Sequence, residues 1–169
     1  MFQIVGCAHS DFITPEQERD ISRDLTFSMI KNEPAKFRGR LVVLGGYVVA
    51  EATVRDRTEF EVLQLPLAHS DRPVGDPSRS QGRFLAFAQQ VMPGGKMPPG
   101  SSVSMLLEVL GQQQGWEKET RYMYTTFAMK SFKIWPKKDE GYPVRPFGFW
   151  DRWGYPFEDP WTHPYWGAY

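Results

Sequence analysis

The chain has 169 residues, 41% of them hydrophobic and 24% charged, which is the composition of one ordinary globular domain with a single core. Lys plus Arg equals Asp plus Glu, at 20 each, so the overall charge does not indicate a nucleic-acid or anionic partner. No run of about 18 apolar residues occurs, and the sequence therefore predicts no transmembrane helix.

The first motif along the chain surrounds Cys7, the only cysteine, which excludes an internal disulfide. Ile4, Val5 and Gly6 precede it and give the form of a bacterial lipobox, in which the thiol receives a diacylglycerol. A signal peptide needs a basic and an apolar region before this motif. Six residues cannot hold them, so we expect a lipoprotein start upstream of Met1. The alternative is a cysteine that serves only as a small apolar residue. Residues 1–13 are interpreted as a lipobox remnant and tether.

A single helix is predicted to begin after Thr14. This residue is placed to be the N-cap, with Pro15 at the first helical position and Gln17 closing a capping box. A narrow apolar stripe continues the pattern with Ile21, Leu25 and Met29. The Glu33-Pro34 step ends it. We expect this helix to pack on a sheet or to plug one end of a barrel.

Residues 37–135 are organised as strands separated by Gly/Pro-rich connections. Apolar, β-branched and aromatic runs predict strands at 40–53, 58–65, 82–90, 102–110 and 118–129, with a sixth at 131–135. Loops are predicted at 66–81 and 92–100, and a turn at 111–115. The pair Gly45-Gly46 predicts a bend or the close approach of another backbone. Because closure removes exposed edges, these elements predict an all-β fold, a five- or six-stranded antiparallel, OB-like barrel. A small sandwich fits the same periodicity.

The composition changes after the last predicted strand. Eleven of the 29 residues from Gly141 onward are aromatic and five are Pro, with few aliphatic residues. Pro interrupts regular ladders and the missing aliphatics prevent a packed core. Residues 137–169 are therefore interpreted as an aromatic, Pro-rich tail, separate from a β domain at 14–136. Docking of its tryptophans on the barrel is the alternative.

No catalytic or metal-binding pattern stands out. The three histidines, His9, His69 and His163, lie in the tether, a loop and the tail, without a second ligand at metal-site spacing. Nucleotide-binding and nucleophile motifs are absent. Glu59 and Glu61 alternate with apolar residues, as on the solvated face of a strand. We therefore expect no enzyme, no metal and no cofactor.

Basic and aromatic residues near the end of the β domain form one candidate binding surface. Four lysines surround two aromatic residues in 130–138, a mixture that suits headgroups or single strands. The tail adds tryptophans that can stack on sugars or lie at a lipid interface. The candidates are Lys133, Trp135, Lys137, Trp150 and Trp153. The simpler alternatives are a solvated strand edge protected by lysines and a poorly ordered terminus.

Eight short motifs occur in an order that resembles a known family. They are Phe37-x-Gly39, Val43-x-Gly45-Gly46, Thr58-x-Phe60-Glu61-Val62, Pro66-Leu67, Arg72-Pro73, Ser80-x-Gly82-Arg83-Phe84, Glu119-x-x-Tyr122-x-Tyr124 and Trp135-Pro136. This order resembles the Slp family of Gram-negative outer-membrane lipoproteins, the starvation-inducible group. The resemblance covers about residues 12–136 and leaves the tail unexplained. It implies that Cys7 is acylated, and Ala8 after it fits export to the outer membrane.

The resemblance implies a lipid-anchored protein at the periplasmic face of the outer membrane, without catalysis. Its expected partners are membrane lipid, through the acylated cysteine, and an envelope protein or glycan; no nucleic-acid partner is expected. The alternative is an OB-like module that binds oligosaccharide or single-stranded nucleic acid through the barrel face and the tail. The sequence also predicts an ion pair between Arg83 and a carboxylate on a neighbouring strand, such as Glu61.

Overall fold

A computed structural model describes residues 11–54, 56–89, 97–117 and 120–136. It contains five strands, β1 (Leu41–Val54), β2 (Arg57–Leu65), β3 (Arg83–Ala88), β4 (Ser102–Glu117) and β5 (Thr120–Trp135). Two short helices, α1 (Pro15–Asp20) and α2 (Phe27–Asn32), precede them, and a one-turn 3-10 helix, Pro77–Arg79, lies between β2 and β3. No helix within the described ranges is long and apolar enough to cross a membrane. The predicted strand-rich architecture is confirmed.

The strands pair in the order β1-β2-β3-β5-β4, and β4 pairs again with β1, so the sheet is a closed barrel. Four of these pairings are antiparallel, but β3 and β5 are parallel. The prediction of a purely antiparallel sheet is wrong in this respect. Strand β4 pairs antiparallel with both β1 and β5, and β5 lies between β4 and β3. Strand β5 therefore runs in the same direction as β1 and β3.

The last two strands are longer than predicted. The prediction of a turn at 111–115 is wrong, because β4 continues to Glu117 and its residues 111–117 pair with β5. A register shift between Val109 and Gly111, where Gly111 has φ 147°, absorbs the irregular spacing within the strand. The candidate sixth strand is the last part of β5. Glycines inside a long antiparallel pair therefore mark a bulge here rather than a hairpin turn.

The single predicted helix is two helices. Thr14 caps α1 and Gln17 completes the capping box, as predicted. The chain then leaves the helical path at Ile21, which forms an isolated bridge with Leu41. Thr26 caps α2, which buries Phe27 and Ile30 and leaves Met29 44% exposed. The bridge between Ile21 and Leu41 of β1 thus interrupts the helix that the apolar stripe of Ile21, Leu25 and Met29 predicts.

The barrel interior is filled by side chains. The main buried cluster joins Phe27 and Ile30 of α2 to the inward residues of the strands, including Phe60, Phe84 and Phe127. The ring centroids of Phe84 lie 5.9 Å from Phe27 and 5.4 Å from Phe127. Helix α2 therefore closes one end of the barrel, in agreement with the predicted plug.

Gly45 and Gly46 permit the close approach that the sequence predicts. A Cβ at Gly46 would overlap the carbonyl of Leu63 on β2, and one at Gly45 would lie 2.5 Å from the carbonyl oxygen of Val103 on β4. The loop after β2 also reaches this point, since Leu67 and Pro73 side-chain atoms would lie 3.0 Å from a Gly45 Cβ. Gly46 is therefore required for the close approach of β1 and β2, and Gly45 for the packing of the loop on the outer side of β1.

Candidate functional site

The first polar group on the outer surface is a tyrosine cluster, defined as Glu61, Gly82, Arg83, Tyr122 and Tyr124. The Arg83 guanidinium donates to Glu61 Oε1 at 2.9 Å, and the Tyr124 hydroxyl donates to the same oxygen at 3.1 Å. The Tyr122 hydroxyl accepts from the Arg83 backbone N–H at 3.2 Å. The two tyrosine rings meet edge to face, 4.6 Å apart. The predicted Arg83–Glu61 pair is confirmed.

Most of the tyrosine cluster supports the barrel rather than presenting groups to solvent. The Glu61 and Arg83 side chains are only 20% and 27% exposed, and Tyr124 is buried together with Leu85 and Phe87. Gly82 has φ 130°, and a Cβ there would lie 2.6 Å from the Tyr122 hydroxyl. The cluster therefore fixes how β2, β3 and β5 meet.

Glu59 lies two residues before Glu61 on β2, so both side chains are on the outer face of the barrel. Partial burial raises the pKa of its carboxyl above the ordinary value; Arg57 opposes this change and the negative charge of Glu61 adds to it. The Arg57 guanidinium lies 4.1 Å from the centroid of the Phe87 ring. Glu59 and Glu61 are thus near each other, but Glu61 is already engaged by Arg83 and Tyr124. The structure shows no free pair of carboxylates for acid–base chemistry on this described face.

The second group is a tryptophan cluster, defined as Asp71, Arg72, Ser104, Lys133 and Trp135. The Trp135 Nε1–H donates to Ser104 Oγ at 2.8 Å, and Ser104 Oγ–H donates to the Asp71 carbonyl. The Arg72 guanidinium and the Lys133 ammonium lie 5.6 Å and 4.5 Å from the Trp135 ring centroid. Arg72 also donates to the carbonyl of Pro136 at 3.1 Å. The β2–β3 loop is thereby fastened to the end of β5.

The N-terminal segment joins the same surface. Asp71, with φ 59°, is buried and accepts from Arg23 at 2.6 Å, and Arg23 also pairs with Glu18 at 2.8 Å. Burial lowers the pKa of the Arg23 guanidinium, but its hydrogen bonds and charge interactions with Asp71 and Glu18 outweigh this, so the pKa lies above its ordinary value. Ile13 and Ile21 pack against Leu106 on the outer side of β4. The N-terminal segment and the β2–β3 loop together cover β1 and β4.

Two of the predicted binding residues, Lys133 and Trp135, lie together in the tryptophan cluster. The Lys133 ammonium pairs with Asp11 at 2.7 Å, and its hydrogen bond and charge lower the pKa of the Asp11 carboxyl. The neighbouring Lys130 pairs with Glu108 at 2.7 Å. The predicted residues Cys7, Lys137, Trp150 and Trp153 lie outside the described residues, as do most of the tether and the whole tail.

Sequence reasoning missed Asp71, Arg72 and Ser104 as members of one site. Their separation in the chain hides the contact, because they come from a loop and from β4. The order of the family-like motifs did contain a signal. Pro66-Leu67, Arg72-Pro73 and Trp135-Pro136 meet at the tryptophan cluster, while the motifs around Glu61, Gly82 and Tyr122 meet at the tyrosine cluster.

Among the described residues, no group of three or more His, Cys, Asp or Glu could hold a metal ion. An open, mostly polar groove runs beside Arg19, Ser22, Asp24 and Arg40. Arg40 in this groove donates to Ser22 Oγ at 2.9 Å, a contact that fixes the turn between the helices. The tryptophan cluster is consequently the stronger candidate for an interaction surface.

Comparison with known proteins agrees with the resemblance of the motifs. The model of the family described as outer membrane lipoprotein Slp matches residues 4–167. This match is longer than the 12–136 suggested by the motifs and includes Cys7 and nearly all of the tail. No significant match was found among curated proteins or among solved structures.

Proposed function

The chain belongs to the Slp family of outer membrane lipoproteins, and we propose that acyl chains on Cys7 hold it at the periplasmic face of the outer membrane. There it would act by binding an envelope partner, a protein or a glycan, and not by catalysis. The observation that carries this proposal is the family match over residues 4–167, which includes the lipobox-like Ile4-Val5-Gly6-Cys7.

Anchoring by Cys7 agrees with the energetics of lipidation. One acyl chain binds a membrane only marginally, whereas two or more give a stable anchor. A mature bacterial lipoprotein carries three chains on its cysteine, so acylated Cys7 would hold the barrel firmly at the bilayer. Ala8 follows Cys7, and it lacks the aspartate that favours retention in the inner membrane.

An interaction role is supported by the filled barrel. Phe60, Phe84 and Phe127 are fully buried within it, and α2 contributes Phe27 to the same cluster. A lipocalin-like role would need an interior cavity for a ligand, and large side chains occupy that space here. A partner would therefore bind on the outside of the barrel or to the tail.

A second candidate function is an OB-like module that binds oligosaccharide or single-stranded nucleic acid. The closed five-stranded order, with β3 and β5 parallel, favours this candidate because OB folds are five-stranded Greek-key barrels that bind such ligands. The usual OB binding face is formed by β2 and β3. In this chain that face has Phe87 buried and Glu61 engaged by Arg83. Binding would thus depend on Lys133, Trp135 and the tail.

Fractionation of cells tests the first proposal. With the natural upstream codons present, we expect the protein in the outer-membrane fraction, and we expect Cys7→Ser to be lost from that fraction. A Cys7→Ser variant that stays in the outer membrane would contradict anchoring through this residue. Deletion of residues 137–169 separates the two functions: it should leave localisation intact under the first and abolish ligand binding under the second. Glycan-array and oligonucleotide binding measurements supply that second readout.

A further inference from the structure

We infer that the tryptophan-cluster face of the barrel lies against the phospholipid headgroups of the leaflet that holds the acyl chains of Cys7. The inference rests on the proposed function, since it requires an acylated Cys7. It adds an orientation for the barrel and a second contact with the membrane, made by Arg72, Lys133 and Trp135.

The short link between Cys7 and Asp11 is the first argument. Asp11 pairs with Lys133 at 2.7 Å, and Ile13, two residues later, holds this segment on the barrel because it is buried on the outside of β4. A fully extended chain spans at most about 3.6 Å per residue, so Asp11 lies within about 14 Å of Cys7. The tryptophan cluster is therefore held within a short distance of the leaflet.

The chemistry of the cluster suits a headgroup layer. Trp135 is half-buried, with its Nε1–H satisfied by Ser104, so its ring presents an apolar surface with a fixed orientation. Indole rings concentrate at membrane–water interfaces, and cations near the surface are attracted to anionic lipid. Within the described ranges the Arg72 guanidinium pairs with no carboxylate, and it contacts the Trp135 ring and the Pro136 carbonyl. Ile134, next to Trp135 at the end of β5, is 42% exposed.

The other end of the barrel provides a comparison. There Lys31 lies 5.6 Å from the Tyr122 ring centroid and Lys36 lies 5.5 Å from that of Phe37. A cation beside an aromatic ring is thus present at both ends, and this chemistry alone does not select a face. Gln113 marks the far end on β4, about 30 Å from Ser104 at roughly 3.4 Å per strand residue. The short link from Asp11 to Cys7 selects the tryptophan cluster.

Headgroup quenching of single fluorescent labels tests the orientation. Because Cys7 is the only cysteine and is acylated in the lipoprotein, one introduced cysteine is the only free thiol. The full-length lipoprotein carries Val74→Cys, beside the tryptophan cluster, or Gln113→Cys at the far end. It is reconstituted in phosphatidylethanolamine–phosphatidylglycerol vesicles that contain a nitroxide-headgroup lipid. We expect strong quenching of the label at position 74 and weak quenching at position 113.

Charge removal separates headgroup contact from the effect of the short link alone. Arg72→Gln removes one cation from the face and keeps the Lys133–Asp11 ion pair, so the link is unchanged. At about a fivefold effect per cation, the ratio of inward-facing to averted barrels should fall about fivefold. Arg38→Gln removes one exposed cation near the other end and should leave the quenching unchanged. Arg72→Lys keeps the positive charge and should quench like the wild type, which separates the loss of charge from the loss of the Arg72–Pro136 hydrogen bond.

Three results would overturn the inference, and they differ in what they leave standing. Equal quenching at positions 74 and 113, or no response to removal of the Arg72 charge, refutes the membrane-facing surface while anchoring through Cys7 remains. An unacylated Cys7, seen by mass spectrometry as the missing lipid mass, removes the proposed anchor and the inference with it.

Discussion

The ion pair between Arg83 and Glu61 offers a direct test of how the tyrosine cluster holds three strands together. The pair connects β3 to β2 at 2.9 Å, and Tyr124 of β5 donates to the same Glu61 oxygen at 3.1 Å. We predict that Glu61→Gln and Arg83→Gln each destabilise the protein and that the double variant loses much less than the sum of the two. Loss of either charge removes this ion pair from the other group, which stays partly desolvated.

The expected magnitude follows from the exposure of the pair. Exposed ion pairs contribute about 0–1 kcal/mol, and breaking a fully buried pair costs about 3–5 kcal/mol. The Arg83 and Glu61 side chains are 27% and 20% exposed, between these limits. A coupling energy of about 1–2 kcal/mol is therefore expected in a double-mutant cycle. For a domain of this size, each kcal/mol corresponds to a change in Tm of roughly 3–6 °C.

Urea unfolding of the wild type, the two single variants and the double variant measures this coupling. Reversal of both charges, Glu61→Arg with Arg83→Glu, should likewise preserve stability better than either reversal alone. Purely additive losses in these cycles would refute the view that the pair acts as a unit. Lys36 pairs with Glu33 at 2.8 Å, with side chains 63% and 59% exposed, and gives a matched control cycle with a coupling of no more than about 0.5 kcal/mol.

Three further predictions concern packing and pH. Gly46→Ala should destabilise the protein by more than about 3 kcal/mol because the new Cβ overlaps a carbonyl of β2. Gly100→Ala should cost about 1 kcal/mol, because Gly100 has φ 86° but open space around it. Urea unfolding measures both, and equal costs would contradict the close approach. Ile30→Ala should cost about 2–5 kcal/mol and Met29→Ala under about 0.5 kcal/mol, because Ile30 is fully buried and Met29 is 44% exposed; the reverse order in thermal unfolding would refute this placement of α2. Burial raises the pKa of Glu59 above its ordinary 4.5, so between the unfolded and folded pKa values the folded state binds more protons than the unfolded state. The free energy of unfolding therefore falls as pH rises through that window. Glu59→Gln should remove this fall in a pH series of urea unfolding, and an unchanged profile would contradict the prediction.

The sequence predicted the parts of the fold that depend on neighbouring residues. The capping box at Thr14 and Gln17 is local, and the strand periodicity around Val103 and Met105 reports which side of a strand is buried. The break at Ile21 depends on a bridge to Leu41, and the continuation of β4 through Gly111 depends on pairing with β5. These non-local contacts leave no pattern in a short window, which is why the helix and the turn were wrong.

The candidate site follows the same rule. The pairing of Arg83 with Glu61 was predictable because the two opposite charges lie on predicted strands that follow one another along the chain. The positions of Lys133 and Trp135 in one segment were also visible. Their partners Arg72 and Ser104 were not, because the loop after β2 reaches them only when the barrel has closed. Contacts that form only when the barrel closes can be identified from the structure but not from the sequence.

Lipid labelling shows directly whether Cys7 carries the membrane anchor. Cells that express the protein with its natural upstream codons are grown with labelled palmitate, and the purified protein is compared with Cys7→Ser. Acylation of Cys7 predicts label in the wild type, no label in Cys7→Ser, and an N-terminal cysteine at Cys7 in the mature protein. An unlabelled wild-type protein that is exported and retains the residues before Cys7 would contradict it.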